Sequence, residues 1–291
     1  MILSGAILLG LFAVWLALAA ALTFRLGIGF RQAFLYVPLK LIWRIGDSEI
    51  GTAAKAEAPV IYAIWHQSKL DPALMLSLLP EQTLHILDEE AANAMWLEPW
   101  RELARTITFN AKHVFVSRRL VRVLKGKGRL AVYLPDTIEP DVKAFRLFRA
   151  IARIAVQADA RIVPVFVSGG RYAPFSLTPR ERAPRRWFGK LSVVALPPMT
   201  IAKLVERAGG ASMNTASNAL FDRLAEARLA GASTNLGTGR SLFQAVRVLS
   251  VSTRRAGSAR PRQRPARSSR QPARRYARSP GTAGTLSHQA R

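Results

Sequence analysis

Residues 58–72 read APVIYAIWHQSKLDP and divide into an apolar half and a polar half. The apolar half is rich in β-branched and aromatic residues, a composition typical of a short buried β-strand. His66 follows this run directly, and Asp71 comes five residues later, across a polar turn. The segment therefore predicts a strand that ends in an exposed loop carrying an imidazole and a carboxylate.

Similar apolar runs recur after this segment, separated by stretches with helical spacing. Further strands are predicted at Thr83–Leu87, Thr106–Phe109, Leu130–Leu134, Arg161–Val167 and Leu191–Leu196. Helices are predicted around the apolar faces that run from Val116 to Leu124 and from Phe148 to Ala155, and again over about Ser212–Leu229. This order predicts an α/β fold, in which helices cover the faces of a mixed sheet.

An uncharged apolar run extends from Ile2 to Phe24 near the start of the chain. As a helix this run would be about 34 Å long, enough to cross a hydrocarbon core of about 30 Å. We therefore expect one transmembrane helix in residues 1–25. A cleaved signal peptide is the alternative, although no basic region precedes the run. Basic residues beginning with Arg25 follow it, so the positive-inside rule places the rest of the chain in the cytoplasm.

Composition divides the remainder of the chain into four segments. Residues 26–54 mix aromatic, aliphatic and basic side chains, which suits either the headgroup layer of a membrane or an amphipathic helix packed on the body. Residues 55–205 contain the predicted strands and form the main domain, and residues 206–250 form a C-terminal helical segment. Residues 251–291 are mostly Arg, Ser, Ala, Pro and Gly, so this tail is expected to be disordered.

Charge and cysteine content narrow the kinds of partner and site. The 291 residues include 43 Lys and Arg against 18 Asp and Glu, a net charge of +25. Eleven of these arginines lie in the tail after Val251, which leaves +14 on the first 251 residues. Such a charge favours anionic lipids, acidic carriers or nucleic acid. The chain has no cysteine, which excludes disulfides, thiolate metal sites and a cysteine nucleophile.

Four histidines are candidates for acid–base chemistry: His66, His85, His113 and His288. His288 lies in the tail, His85 within an apolar run, and His113 at the start of a basic helix, so none of these three is favoured. His66 differs, because a general base needs an exposed position and a carboxylate that fixes its tautomer. Asp71 would be that carboxylate. No cluster of His, Asp and Glu has metal-ligand spacing, so no metal site is predicted.

Two later strand ends add to the pattern of His66 and Asp71. One strand closes with Tyr133-Leu134-Pro135-Asp136-Thr137, and another, Ile162-Val163-Pro164-Val165, closes with Ser168-Gly169-Gly170. Together these segments resemble the glycerophospholipid acyltransferase family, which includes the bacterial lysophosphatidic acid acyltransferases, over about residues 55–198. Within the family, RIVPVFVSGGRYAPFS at 161–176 looks most like the acyltransferase half of the fused 2-acylglycerophosphoethanolamine acyltransferase/acyl-acyl-carrier-protein synthetase.

The resemblance implies a role for individual residues. His66 matches the general base of the family's His-x4-Asp motif, and Asp71 matches its partner. Asp136 stands where the family's Phe-Pro-Glu-Gly motif has glutamate, and Thr137 stands where it has glycine, so both are expected at the substrate. Compared with the family, the acid is shorter by one methylene and the freedom of a glycine backbone is lost.

Contacts to phosphate and to the reaction's oxyanion are the remaining expectations. The family's second motif, whose arginine holds phosphate, has no clear counterpart near residues 106–112, so Lys112 and Arg118 are the candidate phosphate contacts. Lys69, beside backbone amides of the His66 loop, is a candidate for stabilising a tetrahedral oxyanion. Ser68 lacks the Gly-x-Ser-x-Gly setting of a nucleophilic serine.

The implied reaction is acyl transfer from a thioester donor to the free hydroxyl of a lysophospholipid, with neutral His66 removing the hydroxyl proton. The donor, acyl carrier protein or coenzyme A thioester, would be a co-substrate, and no bound cofactor is expected. Besides lysophospholipid and donor, the expected partner is the bacterial inner membrane, crossed once, with the active site facing the cytoplasm.

Two alternatives belong to other functional classes. A non-catalytic, membrane-associated lipid-binding protein of the same fold is favoured by the altered third motif. A membrane-tethered nucleic-acid binder would use the arginine-rich tail. That tail contains one aromatic residue, Tyr276, and so lacks a stacking platform, and no specific nucleic acid is expected.

Overall fold

The computed structural model describes residues 2–47, 49–108, 114–135, 142–207, 209 and 212–234. The predicted disordered tail at 251–291 therefore lies outside the described residues. So do Lys112, His113, Asp136 and Thr137.

Ten α-helices lie within these described ranges. They are α1 (Ile2–Leu26), α2 (Phe30–Trp43), α3 (Ile50–Ala54), α4 (Asp71–Leu78), α5 (Glu89–Ala92), α6 (Glu98–Arg101), α7 (Val114–Lys125), α8 (Val142–Ala158), α9 (Ile201–Arg207) and α10 (Met213–Thr234). Short 3₁₀ turns occur at Met95–Leu97 and Gly170–Tyr172. Helix α4 was not predicted, because all eight of its residues are buried and the sequence therefore shows no helical period there.

In the described part of the chain, seven strands form one sheet. They are β1 (Val60–His66), β2 (Thr83–Leu87), β3 (Arg105–Thr108), β4 (Arg129–Pro135), β5 (Arg161–Ser168), β6 (Ser192–Ala195) and β7 (Met199–Thr200). The order across the sheet is β3-β2-β4-β1-β5-β6, and β7 also pairs with β5. Strands β1 to β5 pair in parallel, whereas β6 and β7 run antiparallel to β5. The predicted mixed sheet is confirmed.

Two apolar layers cover the two faces of this sheet. Tyr62 and Ile64 of β1 face a layer that contains residues of α2, α3 and α4. Ile61 and Trp65, which alternate with them, face a layer built from α7, α8, α9 and α10. A strand buried on both faces reads as a continuous apolar run, which is why β1 was recognisable in the sequence. The predicted α/β fold with helices on both faces is confirmed.

The N-terminal helices form a packed pair. In the described part of the chain, α1 is the one helix long and apolar enough to cross a membrane. Trp15 of α1 stacks on Phe34 of α2, and its indole N–H donates to the Phe34 carbonyl at 3.0 Å. Helix α2 buries one face, including Tyr36 and Val37, against the body and leaves Leu41 exposed on the other. The segment thus behaves as an amphipathic helix packed on the body while keeping an apolar exposed side.

Candidate active site

The site is built where β1 ends and α4 begins. His66 is the last residue of β1, and Asp71 is the first residue of α4, with four loop residues between them. The Asp71 Oδ2 atom accepts the backbone N–H groups of Gln67 at 2.7 Å and Ser68 at 2.9 Å. It also lies 3.2 Å from Nδ1 of His66. Three groups therefore converge on one oxygen and fix the loop around it.

This arrangement fixes the protonation pattern of the imidazole. Asp71 is fully buried, and its Oδ2 has no proton to donate when ionised, so His66 carries its proton on Nδ1 and donates to the carboxylate. That tautomer leaves Nε2 unprotonated and able to accept a proton. The His66 side chain remains 13% exposed, so a substrate can reach it. The pair has the geometry of a general base with its orienting carboxylate.

An apolar cavity of about 790 Å³ opens beside His66. It runs between the sheet and the helices α7 and α8, and its walls are formed by Ile61, Ile86, Leu120, Leu130, Val132, Leu147, Ile151 and Ile154. From His66 to Ile61 the cavity follows β1 over five residues, about 16 Å at the usual strand rise. A long and largely apolar space of this size suits a hydrocarbon chain.

Polar side chains gather at the mouth of this cavity. Gln67, Asp88, Arg171, Thr178 and Arg182 line it together with His66. They come from loops that follow β1, β2 and β5, because the carboxyl ends of parallel strands meet at one edge of the sheet. Two arginines at the mouth make this end of the cavity suited to an anionic group.

A second histidine lies beneath the site and is linked to it through a tyrosine. The Tyr133 ring meets the His66 ring edge-on, with centroids 5.7 Å apart. The Tyr133 hydroxyl lies 3.0 Å from Nδ1 of His85, which is fully buried. Burial, and secondarily the Asp71 carboxylate, raises the pKa of Tyr133 well above its ordinary value, so the phenol donates to His85. His85 thereby holds the ring on which His66 packs.

Burial lowers the pKa of His85 to about 3, which predicts a stability that depends on pH. In the unfolded chain this imidazole binds a proton below about pH 6.5, whereas in the folded chain it stays neutral. Its contribution is therefore complete above pH 6.5 and is lost as the pH falls, by about 2 kcal/mol at pH 5. Urea unfolding in detergent at pH 7.5 and pH 5 should show this difference. In His85→Gln the loss of unfolding free energy between pH 7.5 and pH 5 should be smaller by this amount. The same loss in the variant as in wild type would contradict its origin in His85.

Of the predicted substrate contacts, two lie within the described residues. The Lys69 ammonium is paired with the Glu90 carboxylate, and this hydrogen bond and charge lower the pKa of Glu90. Arg118 is exposed on α7, and among the side chains of that helix that the structure describes, Leu120 lines the cavity. Lys112, Asp136 and Thr137 lie outside the described residues, so their expected roles remain predictions.

Sequence reasoning missed Arg171, Arg182 and Tyr133 as residues of the site. The two arginines belong to a long loop between β5 and β6. Arg171 lies in the segment 161–176 that carries the family resemblance, but no motif in that segment or around Arg182 marks either side chain as a contact. Tyr133 lies two residues before Pro135, and its local sequence predicts only that it belongs to a strand. The one available signal was position, because a residue near the carboxyl end of a parallel strand lies at the ligand-binding edge.

Comparison with known proteins matches part of the chain to a family model and finds similar solved structures. The family model described as Acyltransferase matches residues 48–168. The crystal structure of the 1-acyl-sn-glycerophosphate (LPA) acyltransferase PlsC from Thermotoga maritima is similar over 79% of this chain and 97% of its own, with a TM-score of 0.46 and 14% sequence identity. The residues matched by the family model include the His66–Asp71 pair and the strands β1, β2 and β4 that line the cavity.

Proposed function

We propose that this chain, whose residues 48–168 match the acyltransferase family, transfers a fatty acyl group from a thioester to the free hydroxyl of a lysophospholipid. The observation that carries the proposal is the His66–Asp71 pair, joined at 3.2 Å, at the mouth of an apolar cavity of about 790 Å³. A general base beside a hydrocarbon site is what acyl transfer to an alcohol requires.

The pair can perform the reaction by moving one proton twice. Nε2 of His66 takes the proton of the acceptor hydroxyl as its oxygen attacks the thioester carbonyl, and a tetrahedral oxyanion forms. Collapse of that intermediate breaks the carbon–sulfur bond, and the imidazolium returns the proton to the departing thiolate. The Asp71 carboxylate, held by two backbone N–H groups, stabilises the imidazolium between these steps. The products are an ester and a thiol.

The aliphatic walls of the cavity favour a long acyl chain as the apolar part of the substrate. Its walls are aliphatic from the mouth to Ile61 and Ile154. Each methylene buried there contributes about 0.8 kcal/mol, which favours fatty acyl groups over short ones. The donor proposed is acyl carrier protein or coenzyme A, since both are anionic and the first 251 residues carry a net +14.

The arginines at the mouth of the cavity favour an acceptor that carries a negative charge. Arg171 and Arg182 lie beside His66 around the opening, where the phosphate of a lysophospholipid would come to rest. Pro135 also lines the cavity, and Asp136 and Thr137 follow it directly in the chain, which supports their proposed place at the substrate. Lys112 and Arg118 are kept as further phosphate contacts on the family resemblance alone.

The N-terminal helix supports a membrane location. Helix α1 is long and apolar enough to cross a bilayer, and the basic residues after it favour a cytoplasmic body. We place the enzyme on the bacterial inner membrane, where lysophospholipids are found, with the active site facing the cytoplasm.

The proposal is tested by measuring acyl transfer from labelled acyl-acyl-carrier-protein and acyl-coenzyme A to a panel of lysophospholipids. Purified membranes containing the full chain are the enzyme source, and membranes without it are the blank. The panel includes lysophosphatidic acid and 2-acylglycerophosphoethanolamine, the latter because of the resemblance at residues 161–176. Transfer above the blank supports the proposal. Binding of lysolipid without transfer from either donor would instead support the non-catalytic lipid-binding protein.

The chain-length preference should respond to the far end of the cavity. Ile154→Trp on α8 fills that end, so the longest accepted acyl groups should lose activity by about fourfold for each methylene that no longer fits, a value equivalent to about 0.8 kcal/mol. Val156→Trp, two residues along the same helix but 52% exposed, is the control and should keep the wild-type profile. The preference is measured by letting acyl donors of eight to eighteen carbons compete and comparing the amounts of each ester formed. Identical profiles for both variants would place the acyl chain elsewhere.

Removing Arg182 from the mouth of the cavity should weaken the binding of an anionic acceptor. Arg182→Ala is expected to raise the KM for lysophosphatidic acid by up to about fivefold, which corresponds to about 1 kcal/mol for an exposed ion pair. Arg180→Ala removes an exposed arginine of the same loop that does not line the cavity and should leave the KM unchanged. A neutral monoacylglycerol lacks the phosphate, so its KM should be the same for wild type and Arg182→Ala if the arginine acts through charge. Equal effects on both acceptors would exclude a phosphate contact.

A further inference from the structure

Among the described residues, six exposed large apolar side chains lie in the loop after β5 and in the turn after α5: Met95, Trp96, Phe175, Leu177, Trp187 and Phe188. We call this set the aromatic rim. Trp187 is 68% exposed and Phe188 is 76% exposed. Two adjacent aromatic side chains with this much exposure form part of an apolar patch, and such patches mark sites of interaction with another molecule.

The loop that carries most of the rim, residues 170–191, is held firmly. The Arg185 guanidinium donates to the backbone carbonyls of Arg171 at 3.0 Å and Ser176 at 2.9 Å, and also to that of Thr178. The N–H of Arg186 donates to the Tyr172 carbonyl at 2.7 Å. Trp187 and Phe188 are therefore presented from an ordered loop.

The same loop is joined to the catalytic loop. The Lys69 N–H donates to the Phe175 carbonyl at 2.9 Å, and the Leu177 N–H donates to the Gln67 carbonyl at 2.8 Å. From the turn after α5, Trp96 stacks against Phe175, with ring centroids 6.5 Å apart. Whatever the rim binds is thus brought to the opening beside His66.

The segments that carry the rim, residues 95–102 and 170–191, each contact α2. At one end, the Leu191 N–H donates to the Trp43 carbonyl at 3.0 Å, next to the exposed Leu41 and Ile42. At the other end, Glu102, which follows α6, pairs with Arg31 of α2 at 3.5 Å. Helix α2 in turn packs on α1, the helix able to cross a membrane. The loop that carries Trp187 and Phe188 is therefore attached to α2, which itself exposes Leu41 and Ile42.

The charge of the loop that carries most of the rim indicates which kind of surface the rim would bind. Residues 170–191 contain six basic side chains and one acidic side chain, Glu181, a net charge of +5. Exposed aromatic residues among arginines and lysines are the composition that enters the headgroup layer of an anionic bilayer. We propose that the aromatic rim inserts Trp187 and Phe188 into anionic lipid, as a membrane contact separate from α1 that presents the cavity mouth to the bilayer surface.

The absence of cysteine allows a direct test in the full chain reconstituted into vesicles. Phe188→Cys carries an environment-sensitive fluorophore, and Val156→Cys on α8 is the exposed control. In vesicles with 30% phosphatidylglycerol, the probe at 188 should shift to the blue and be quenched by lipids with spin-labelled acyl chains, whereas the probe at 156 should not. Equal quenching in pure phosphatidylcholine would overturn the preference for anionic lipid. No quenching at 188 in either bilayer would overturn insertion.

A second variant connects the contact to turnover, and only this arm rests on the proposed function. Trp187→Ser combined with Phe188→Ser should lower kcat/KM at least fivefold for lysolipid in anionic vesicles and leave transfer to detergent-dispersed lysolipid unchanged. The fluorescence result needs no activity, so failure of the reaction and failure of the rim are distinguishable. A blue shift in detergent that depends on adding acyl carrier protein, with none in vesicles, would show a protein docking surface and overturn the proposal.

Discussion

Replacing His66 with alanine is expected to lower acyl transfer by about 10²- to 10⁴-fold, the range that a general base supplies. The variant removes the one imidazole that lines the cavity among the described residues, at the end of β1. Fold and substrate binding should persist, because the His66 side chain is partly exposed and its loop is held by Asp71 through backbone N–H groups. Initial rates at saturating donor and acceptor measure the effect on kcat.

The control for this variant is His85→Gln. It removes the other described histidine, which is buried behind Tyr133 and does not line the cavity. At pH 7.5 this variant should keep transfer within about tenfold of wild type, whereas His66→Ala should not. A His66→Ala protein that binds lysolipid and still transfers acyl groups at the wild-type rate would exclude His66 as the base.

Asp71→Asn is expected to lower kcat by about 10³-fold with a small effect on folding. The amide oxygen can take the place of Oδ2, since it is the acceptor that the N–H groups of Gln67 and Ser68 require. The negative charge beside the imidazolium is then lost. At about 4 Å and an effective dielectric constant of about 20, that charge is worth about 4 kcal/mol, which corresponds to about a thousandfold in rate.

Asp71→Ala separates the catalytic from the structural role of this carboxylate. Alanine leaves two buried N–H groups without their acceptor, and each such loss costs about 1–3 kcal/mol. Thermal unfolding should therefore show Asp71→Ala destabilised by at least about 2 kcal/mol and Asp71→Asn nearly unchanged, while both lose turnover. Wild-type turnover in Asp71→Asn would mean that the carboxylate only supports the loop.

Much of the fold could be predicted because burial leaves a pattern in the sequence. Strand β1 was expected at 58–65 and is found at Val60–His66, and β2 has the bounds that were predicted. A strand covered on both faces must be apolar throughout, so its residues identify it without any partner. Helix α4 shows the opposite case, since complete burial removes the polar side that makes a helix recognisable.

The candidate site was predictable where its residues are close in sequence. His66 and Asp71 are five positions apart, and the turn between a strand and a helix brings their side chains within hydrogen-bond reach. The expectation that Arg118 contacts phosphate rested on motif letters in a helical segment, where it is exposed on α7. Arg171 and Arg182 instead reach the mouth of the cavity from a loop about a hundred residues after His66.

By itself, the sequence determined the α/β class, the apolar N-terminal helix and the pairing of His66 with Asp71. Each of these depends on composition or on neighbours within one turn of the chain. The cavity, the arginines at its mouth and the aromatic rim depended on the tertiary structure. They arise where the carboxyl ends of distant parallel strands and the loops after them meet, and contacts between residues far apart in the chain leave no local period or spacing.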